Sequence, residues 1–291
     1  MMGRRARLFN NNDGLVKMMD ITEQETAGKK MYLLAIETTG PQLSVAIIDE
    51  QGRVREEKAD EGFNHLTNLM PLIDKITKGN GLAPEDAAAI AVSRGPGSFT
   101  GIRIGVSTAR ALAQALGLKA VAVPTLESFV YHAPEFKGAI CPIFDARRSQ
   151  VYGGAYVWCD GADDALMQKT ADGRAYMTLV PGGAYTFDEY IGLLKEALAK
   201  AGIKEIMAFG DGMRPCGERF KEFAASEGLG FIDARGKEAS AVQSAASVAR
   251  LGLDLYREGK TCSFEELLPD YMRKAEAERK LEEKRAASAG R

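Results

Sequence analysis

The chain has 291 residues, 45% of them hydrophobic and 8% aromatic, which is enough to bury a sizeable core and to divide into two lobes. A formal net charge of −2 gives no global attraction to nucleic acid, and no apolar run approaches the ~18 residues that span a bilayer, so no membrane association is expected. Four cysteines without a C-x-x-C pair and only two histidines, His65 and His132, argue against a zinc cage and fit reduced thiols in a cytoplasmic protein.

Residues 1–30 read as a disordered extension. Arg4, Arg5 and Arg7 resemble a signal n-region, but Asn10-Asn11-Asn12-Asp13-Gly14 stands where an apolar stretch would follow, and Asp20, Glu23 and Glu25 argue against a transit peptide. The functional chain is expected to begin near Met31, with the preceding residues an upstream start or a remnant of cloning.

From Tyr32 the pattern is α/β. Tyr32–Thr38, Ser44–Asp49 and Val54–Ala59 are β-rich runs separated by Thr39-Gly40-Pro41-Gln42 and Glu50-Gln51-Gly52, a three-strand meander. A helix follows with Leu66, Leu69, Met70 and Ile73 on one face, and Pro71 removes one of its N–H groups. Next come a strand at Ala89–Ser93, a helix, and a strand at Ala120–Val123. The second half runs through strands at Ala139–Phe144, Gln150–Trp158 and near Met177–Val180 and a helix over Phe187–Ala201. A strand at Glu205–Phe209 and helices over Gly217–Glu227 and Ala241–Glu258 complete it. Each half reads βββαβα. That duplication predicts two ribonuclease-H-like lobes of the actin/Hsp70 (ASKHA) type with a cleft between them, residues 31–137 forming lobe I and 138–270 lobe II, and 271–291 a charged tail.

Between the strand at Ala89–Ser93 and its helix lies Gly95-Pro96-Gly97-Ser98-Phe99-Thr100-Gly101-Ile102-Arg103-Ile104-Gly105. No lysine follows to complete a phosphate loop, and the G-x-G-x-x-x-G spacing is not the dinucleotide fingerprint. Gly101, Gly105, Ala109 and Ala113 recur every four residues, so one face of this helix has no bulk. Such a face packs tightly on its own sheet or forms a subunit interface, and both readings stand at this point. Arg103 and Arg110 share a second face with Ser107 between them.

In actin-like enzymes the turn after the first strand of each lobe grips nucleotide phosphates. Here those turns carry Glu37 and Thr38 in lobe I and Asp145 and Arg147 in lobe II. The functional reading is a weak or vestigial nucleotide site. The plain structural one makes Glu37 and Asp145 strand-end carboxylates satisfied by turn N–H groups or by Arg147.

Several segments together resemble the bacterial TsaB (YeaZ) family. They are Met31 to Thr39, His65-Leu66 through Pro71-Leu72-Ile73-Asp74, Gly95 to Gly105, Asp145-Ala146-Arg147-Arg148 with Val151-Tyr152, and Pro269-Asp270-Tyr271-Met272-Arg273. They occur in the family's order from about Met31 to Arg273. The resemblance implies a role in forming N6-threonylcarbamoyladenosine at position 37 of tRNAs that read ANN codons. It also implies a noncatalytic paralogue of the transferase TsaD, without the His-x-x-x-His metal pair, since Pro124-Thr125-Leu126-Glu127-Ser128 contains no histidine. No catalytic residue, metal or cofactor is expected.

The implied partners are a TsaD-type transferase in a heterodimer, a TsaE-type ATPase that the pair helps recruit, tRNA only through the complex, and a second copy of the chain when the partner is absent. The implied pairing surface is built from the helices over His65–Lys78 and Thr100–Leu116, with His65, Leu69, Thr100, Gly101, Arg103, Gly105, Ser107, Ala109 and Arg110 as its candidate residues. On that reading Gly105→Leu blocks pairing by overpacking and need not unfold the monomer. Glu37-Thr38-Thr39 departs from the family's usual Asp-Thr-Ser, which weakens any metal-positioning role. The tail Lys274–Arg285 alternates charge and reads as a solvated helix. The enzyme alternatives are an actin-like ATP-dependent phosphotransferase and a glycoprotease-like hydrolase.

Overall fold

The computed structural model describes residues 31–59, 64–159, 167–170, 172–236 and 242–272, together with the backbone of 6–10 and 16–20. Within the segment expected to be a disordered extension, Ala6–Asn10 (β1) and Val16–Asp20 (β2) pair antiparallel as a hairpin. The charged run expected as a helix over Lys274–Arg285 lies outside the described residues.

The first sheet contains Tyr32–Glu37 (β3), Ser44–Asp49 (β4), Val54–Lys58 (β5), Ala87–Gly95 (β6) and Lys119–Pro124 (β7), in the order β5-β4-β3-β6-β7. The meander pairs antiparallel, and β6 and β7 join parallel to β3 through crossover helices. Those helices are His65–Gly79 (α1) and Phe99–Leu116 (α2). Ser98 caps α2 by accepting from Gly101 N–H at 3.3 Å, and Gly117 ends it in the left-handed conformation at φ 66°.

A short helix at Thr125–Ser128 (α3) and a 3₁₀ turn at Phe129–His132 lead to the second sheet. Its strands are Ala139–Asp145 (β8), Gln150–Cys159 (β9), Met167–Lys169 (β10), Ala175–Thr186 (β11), Glu205–Phe209 (β12) and Gly230–Asp233 (β13). The order β10-β11-β9-β8-β12-β13 repeats the first sheet's arrangement and adds β10 at the edge. Its helices are Phe187–Ala201 (α4), opened by a Thr186/Glu189 capping box, and Met213–Ser226 (α5). The two lobes are thus of the ribonuclease-H-like type, each built on the same strand order.

Three differences from the sequence reading have local causes. Helix α5 starts at Met213 rather than Gly217, because Pro215 sits in the first turn, where no intrahelical N–H partner is needed. Strand β13 is not foreseen by the sequence pattern, since four residues that open on a glycine leave no period-2 alternation to read. The last helix, Ala245–Arg257 (α6), begins four residues later than expected, where Ser244 accepts from Ala246 N–H at 3.2 Å. It belongs by chain order to the second half, yet it packs on β3, β4, β6 and β7 of the first sheet.

This crossing of α6 decides how the core is divided. One face of the first sheet, with Leu33, Ala35, Ala89 and Val121, meets Val248, Ala249 and Leu251 of α6. The same core continues through Phe129 and Val130 to Ile140, Phe144, Trp158 and Phe209 of the second sheet. The opposite face of the first sheet is covered by α1 and α2, and the opposite face of the second by α4 and α5. Each fully buried leucine or isoleucine in these layers contributes about 2 kcal/mol of transfer free energy before entropy is charged.

Candidate functional site

The carboxyl ends of β3 and β6 meet the amino ends of α1 and α2 at the turn Thr38-Thr39-Gly40. Glu37 sits at 0% exposure under this turn. Its Oε1 accepts from Thr39 N–H at 2.5 Å and from Thr39 Oγ1 at 2.6 Å, and Ser93 Oγ donates to Oε2. Burial pushes the Glu37 carboxyl above its ordinary value, against the lowering pull of the Ser93 and Thr39 hydrogen bonds. Thr38 is equally buried and its hydroxyl donates to Gly101 O at 2.7 Å. These two residues therefore do not line a nucleotide cleft; they tie the first strand to α2.

The lobe II candidates are also committed locally. Asp145 accepts from Arg147 N–H at 2.7 Å, and its Oδ2 lies 3.2 Å from Arg147 Nη1. Arg147, Arg148 and Ser149 follow one another in the left-handed region, at φ 64°, 55° and 59°, a turn that the Asp145 carboxylate braces. Glu37 and Asp145 thus each accept from the N–H of the residue two positions on, Thr39 and Arg147, while the Arg147 side chain reaches into solvent. Among the described residues, no three His, Cys, Asp or Glu side chains group to hold a metal ion.

The pairing-surface candidates divide in two. Gly101, Gly105 and Ala109 are buried against their own sheet, which corrects their assignment to a partner interface. A Cβ on Gly101 would lie 2.0 Å from Thr38 O, and one on Gly105 would lie 2.3 Å from Thr38 Oγ1. The smooth stripe of α2 thus lets the helix approach β3. The expectation that Gly105→Leu spares the monomer falls with it. Leu69 is buried in the core, and His65, 6% exposed, donates from Nε2 to Gly40 O at 3.1 Å, which defines its tautomer.

What remains on the surface is Thr100, Arg103, Ser107 and part of Arg110. The structure adds three residues that the pattern reading did not place there: Leu66 is 73% exposed, Met70 49% and Phe99 39%. Leu66 and Met70 stand one turn apart on α1, while Leu69, Leu72, Ile73 and Ile76 fill the buried face. The signal was present in the sequence, since α1 carries more apolar residues than one sheet-facing stripe needs. Both helices start at the Thr38–Gly40 turn, so Leu66, Met70 and Phe99 lie toward the same end of lobe I.

The second histidine is structural. His132 stacks on Phe129 at 4.2 Å, packs edge-on to Phe209, and bonds Val242 O at 2.9 Å and Ser247 Oγ at 3.0 Å. Burial holds its pKa down to about 4 from an ordinary 6.5. The unfolded chain thus takes up the proton first on acidification, so this group's contribution is intact above about pH 6.5 and is lost toward pH 4. The expected loss between about pH 7 and pH 5 is about 2 kcal/mol. Glu37, with its raised value, acts in the opposite sense: it favours the fold below the ordinary carboxyl pKa, and that contribution fades as pH rises through its folded value. Urea unfolding of His132→Gln is expected to show a flatter acid limb than the parent; an identical limb in both proteins would remove His132 from this account.

The TsaD family profile, described as tRNA N6-adenosine threonylcarbamoyltransferase, matches residues 53–281. The tRNA threonylcarbamoyladenosine biosynthesis protein TsaB of Bacillus subtilis is 31% identical over 250 residues, covering 86% of this chain and 97% of that protein. The Escherichia coli TsaB is 34% identical over 128 residues, 43% of this chain and 55% of that one. The solved structure of YeaZ from Pseudomonas aeruginosa superposes with a TM-score of 0.62 at 23% identity, covering 83% of this chain and 99% of that chain.

Proposed function

The chain belongs to the TsaB family within the wider TsaD-type group, and from that premise we propose that it is a noncatalytic scaffold subunit in tRNA threonylcarbamoyladenosine biosynthesis. It pairs with a TsaD-type transferase, helps recruit a TsaE-type ATPase, and meets tRNA only through the assembled complex. Its pairing surface is the exposed side of α1 and α2, with Leu66, Met70, Phe99, Thr100 and Arg103 toward the helix starts and Ser107 and Arg110 further along α2.

The observation that carries this reading is the exposure of Leu66, Met70 and Phe99, three of the six large hydrophobic side chains exposed among the described residues, in the amino-terminal halves of two helices that start at the same turn. A monomer gains nothing by leaving them in water, and a partner helix pair covers them. A standard interface of roughly 1,600 Å² is expected. When the transferase is absent, the same face pairs with a second copy of the chain.

The noncatalytic part of the proposal is supported by where the histidines are used. No histidine occurs in Pro124–Ser128, and His65 and His132 are both embedded and bonded to backbone carbonyls. The phosphotransferase alternative loses its support, because the carboxylate it needs, Glu37, is closed over by Ser93 and Thr39.

Light scattering after size-exclusion chromatography tests the proposal, with the chain alone and mixed with the TsaD-type protein of the same organism. A one-to-one species is expected to form at the expense of any homodimer, and reconstituted tRNA modification is expected to require both proteins. Absence of a complex with nucleotide and the TsaE-type protein present would overturn the scaffold reading.

A further inference from the structure

The carboxyl-terminal stretch of the described chain returns to lobe I and is fastened across the amino end of α2. Cys262 and Ala120 exchange two backbone hydrogen bonds of 2.9 Å, extending the sheet edge by one bridge. Leu267 is fully buried in the core under α1 and α2. Asp270 N–H then donates to Arg94 O at 2.7 Å, and its carboxylate lies 3.7 Å from Arg94 Nη2. Gly95, at φ 125°, passes so close beneath that a Cβ would lie 2.1 Å from Asp270 O. The strap is therefore held at both ends before it reaches Tyr271.

Tyr271 is placed against two exposed residues of α2. Its ring lies 4.8 Å from that of Phe99, and its hydroxyl accepts from Arg103 Nε at 3.0 Å. The Arg103 guanidinium in turn lies 4.1 Å from the Phe99 ring centroid. Among the described residues, Arg103's partners are this phenol and these rings, and none is a carboxylate.

Two physical arguments make this arrangement more than packing. A fixed cation in the second turn of a helix opposes the helix dipole, so α2 itself gains nothing from Arg103. With Nε donated to Tyr271 and the π-face laid on Phe99, the side chain has already lost its rotamer freedom, and both terminal nitrogens remain to grip a carboxylate in a bidentate way. A guanidinium prepared in this manner costs less to order when an anion arrives.

We propose that Tyr271 is a positioning residue of the pairing surface: it fixes Arg103 on Phe99 so that Arg103 takes a carboxylate from an aspartate or glutamate of the partner, next to the apolar contact at Leu66 and Met70. This rests on the scaffold reading given above and extends the pairing surface from the two helices onto the carboxyl-terminal strap.

The test is calorimetric titration of the full chain with the TsaD-type protein at low and high salt. Arg103→Ala is expected to weaken binding about 10-fold or more and to flatten its salt dependence, and Arg103→Lys to recover little, because an ammonium cannot keep both the phenol and a bidentate carboxylate. Tyr271→Phe, which keeps the ring, is expected to weaken binding about 3-fold or more in the parent and to have no further effect in the Arg103→Ala background. The melting temperature of each variant alone should stay at the parental value. Undiminished binding by Arg103→Ala, or a Tyr271→Phe loss that repeats in full without Arg103, would overturn the proposal. If those results come with native pairing by the parent protein, the scaffold reading survives; if the parent itself does not pair, both fall.

Discussion

Alanine at position 101 is expected to destabilise the monomer by about 3 kcal/mol or more, a large effect for the addition of one methyl group. The new Cβ would stand 2.0 Å from Thr38 O and 3.0 Å from Thr38 C, and these are backbone atoms. They have no room to retreat. Thr38 follows Glu37, whose carboxyl is bonded by Thr39 and Ser93, and the Thr38 hydroxyl is itself donated to Gly101 O. Relief would require α2 to lift from β3, which opens the core around Ile102 and Val106. Leucine at Gly105 should be at least as costly, because its Cβ alone would lie 2.3 Å from Thr38 Oγ1 and 3.3 Å from Val92 Cγ2, with the rest of the side chain still to be placed. Leucine at Ser107, which faces solvent on the same helix, should change stability by roughly 0.5 kcal/mol or less. Thermal unfolding distinguishes the three: a fall on the order of 5 °C or more is expected for the glycine variants and almost none for Ser107→Leu. A Gly101→Ala protein that melts with the parent would show that the stripe does not pack on the sheet.

That stripe also shows how far the sequence could be read. The four-residue recurrence from Gly101 to Ala113 establishes a smooth helix face, but the surface that meets it is set by Thr38, which is 63 positions away. Periodicity describes one side of a contact and is silent on the other. Glu37 fails for the same reason. A carboxylate at the end of a first strand suits a phosphate turn, and only the approach of Ser93, 56 positions on, closes it off. The duplicated βββαβα succession was legible, β13 apart, because the strands of the first meander are bounded by their own turn residues. The docking of α6 on the first sheet was not, since Val248, Leu251 and Leu253 would bury an apolar face equally well on either lobe. Leu66 and Met70 were visible as apolar residues of α1. Which apolar residues a helix leaves outside is decided by the curvature and width of the sheet beneath it, and no one-dimensional pattern holds that information.

Glutamate at both Leu66 and Met70 is expected to weaken pairing with the TsaD-type protein at least 100-fold while leaving the melting temperature within about 2 °C of the parent. The two side chains are 73% and 49% exposed, so the charges enter water in the free protein and cost its core nothing. Near the amino end of α1 they are, if anything, favourable to the helix dipole. In a complex the same carboxylates would be desolvated against an apolar partner face, and an unpaired buried charge costs several kcal/mol, where about 2.7 kcal/mol is already 100-fold. Leu69→Glu is the informative comparison, because residue 69 precedes Met70 by one position yet is 1% exposed and packs in the core. It should unfold the lobe, while Met70→Glu should not. Calorimetry and thermal melts on the two sets of variants therefore separate a docking face from a core face on a single helix. A folded Leu66→Glu, Met70→Glu protein that binds the transferase as tightly as the parent would move the pairing surface off α1 altogether.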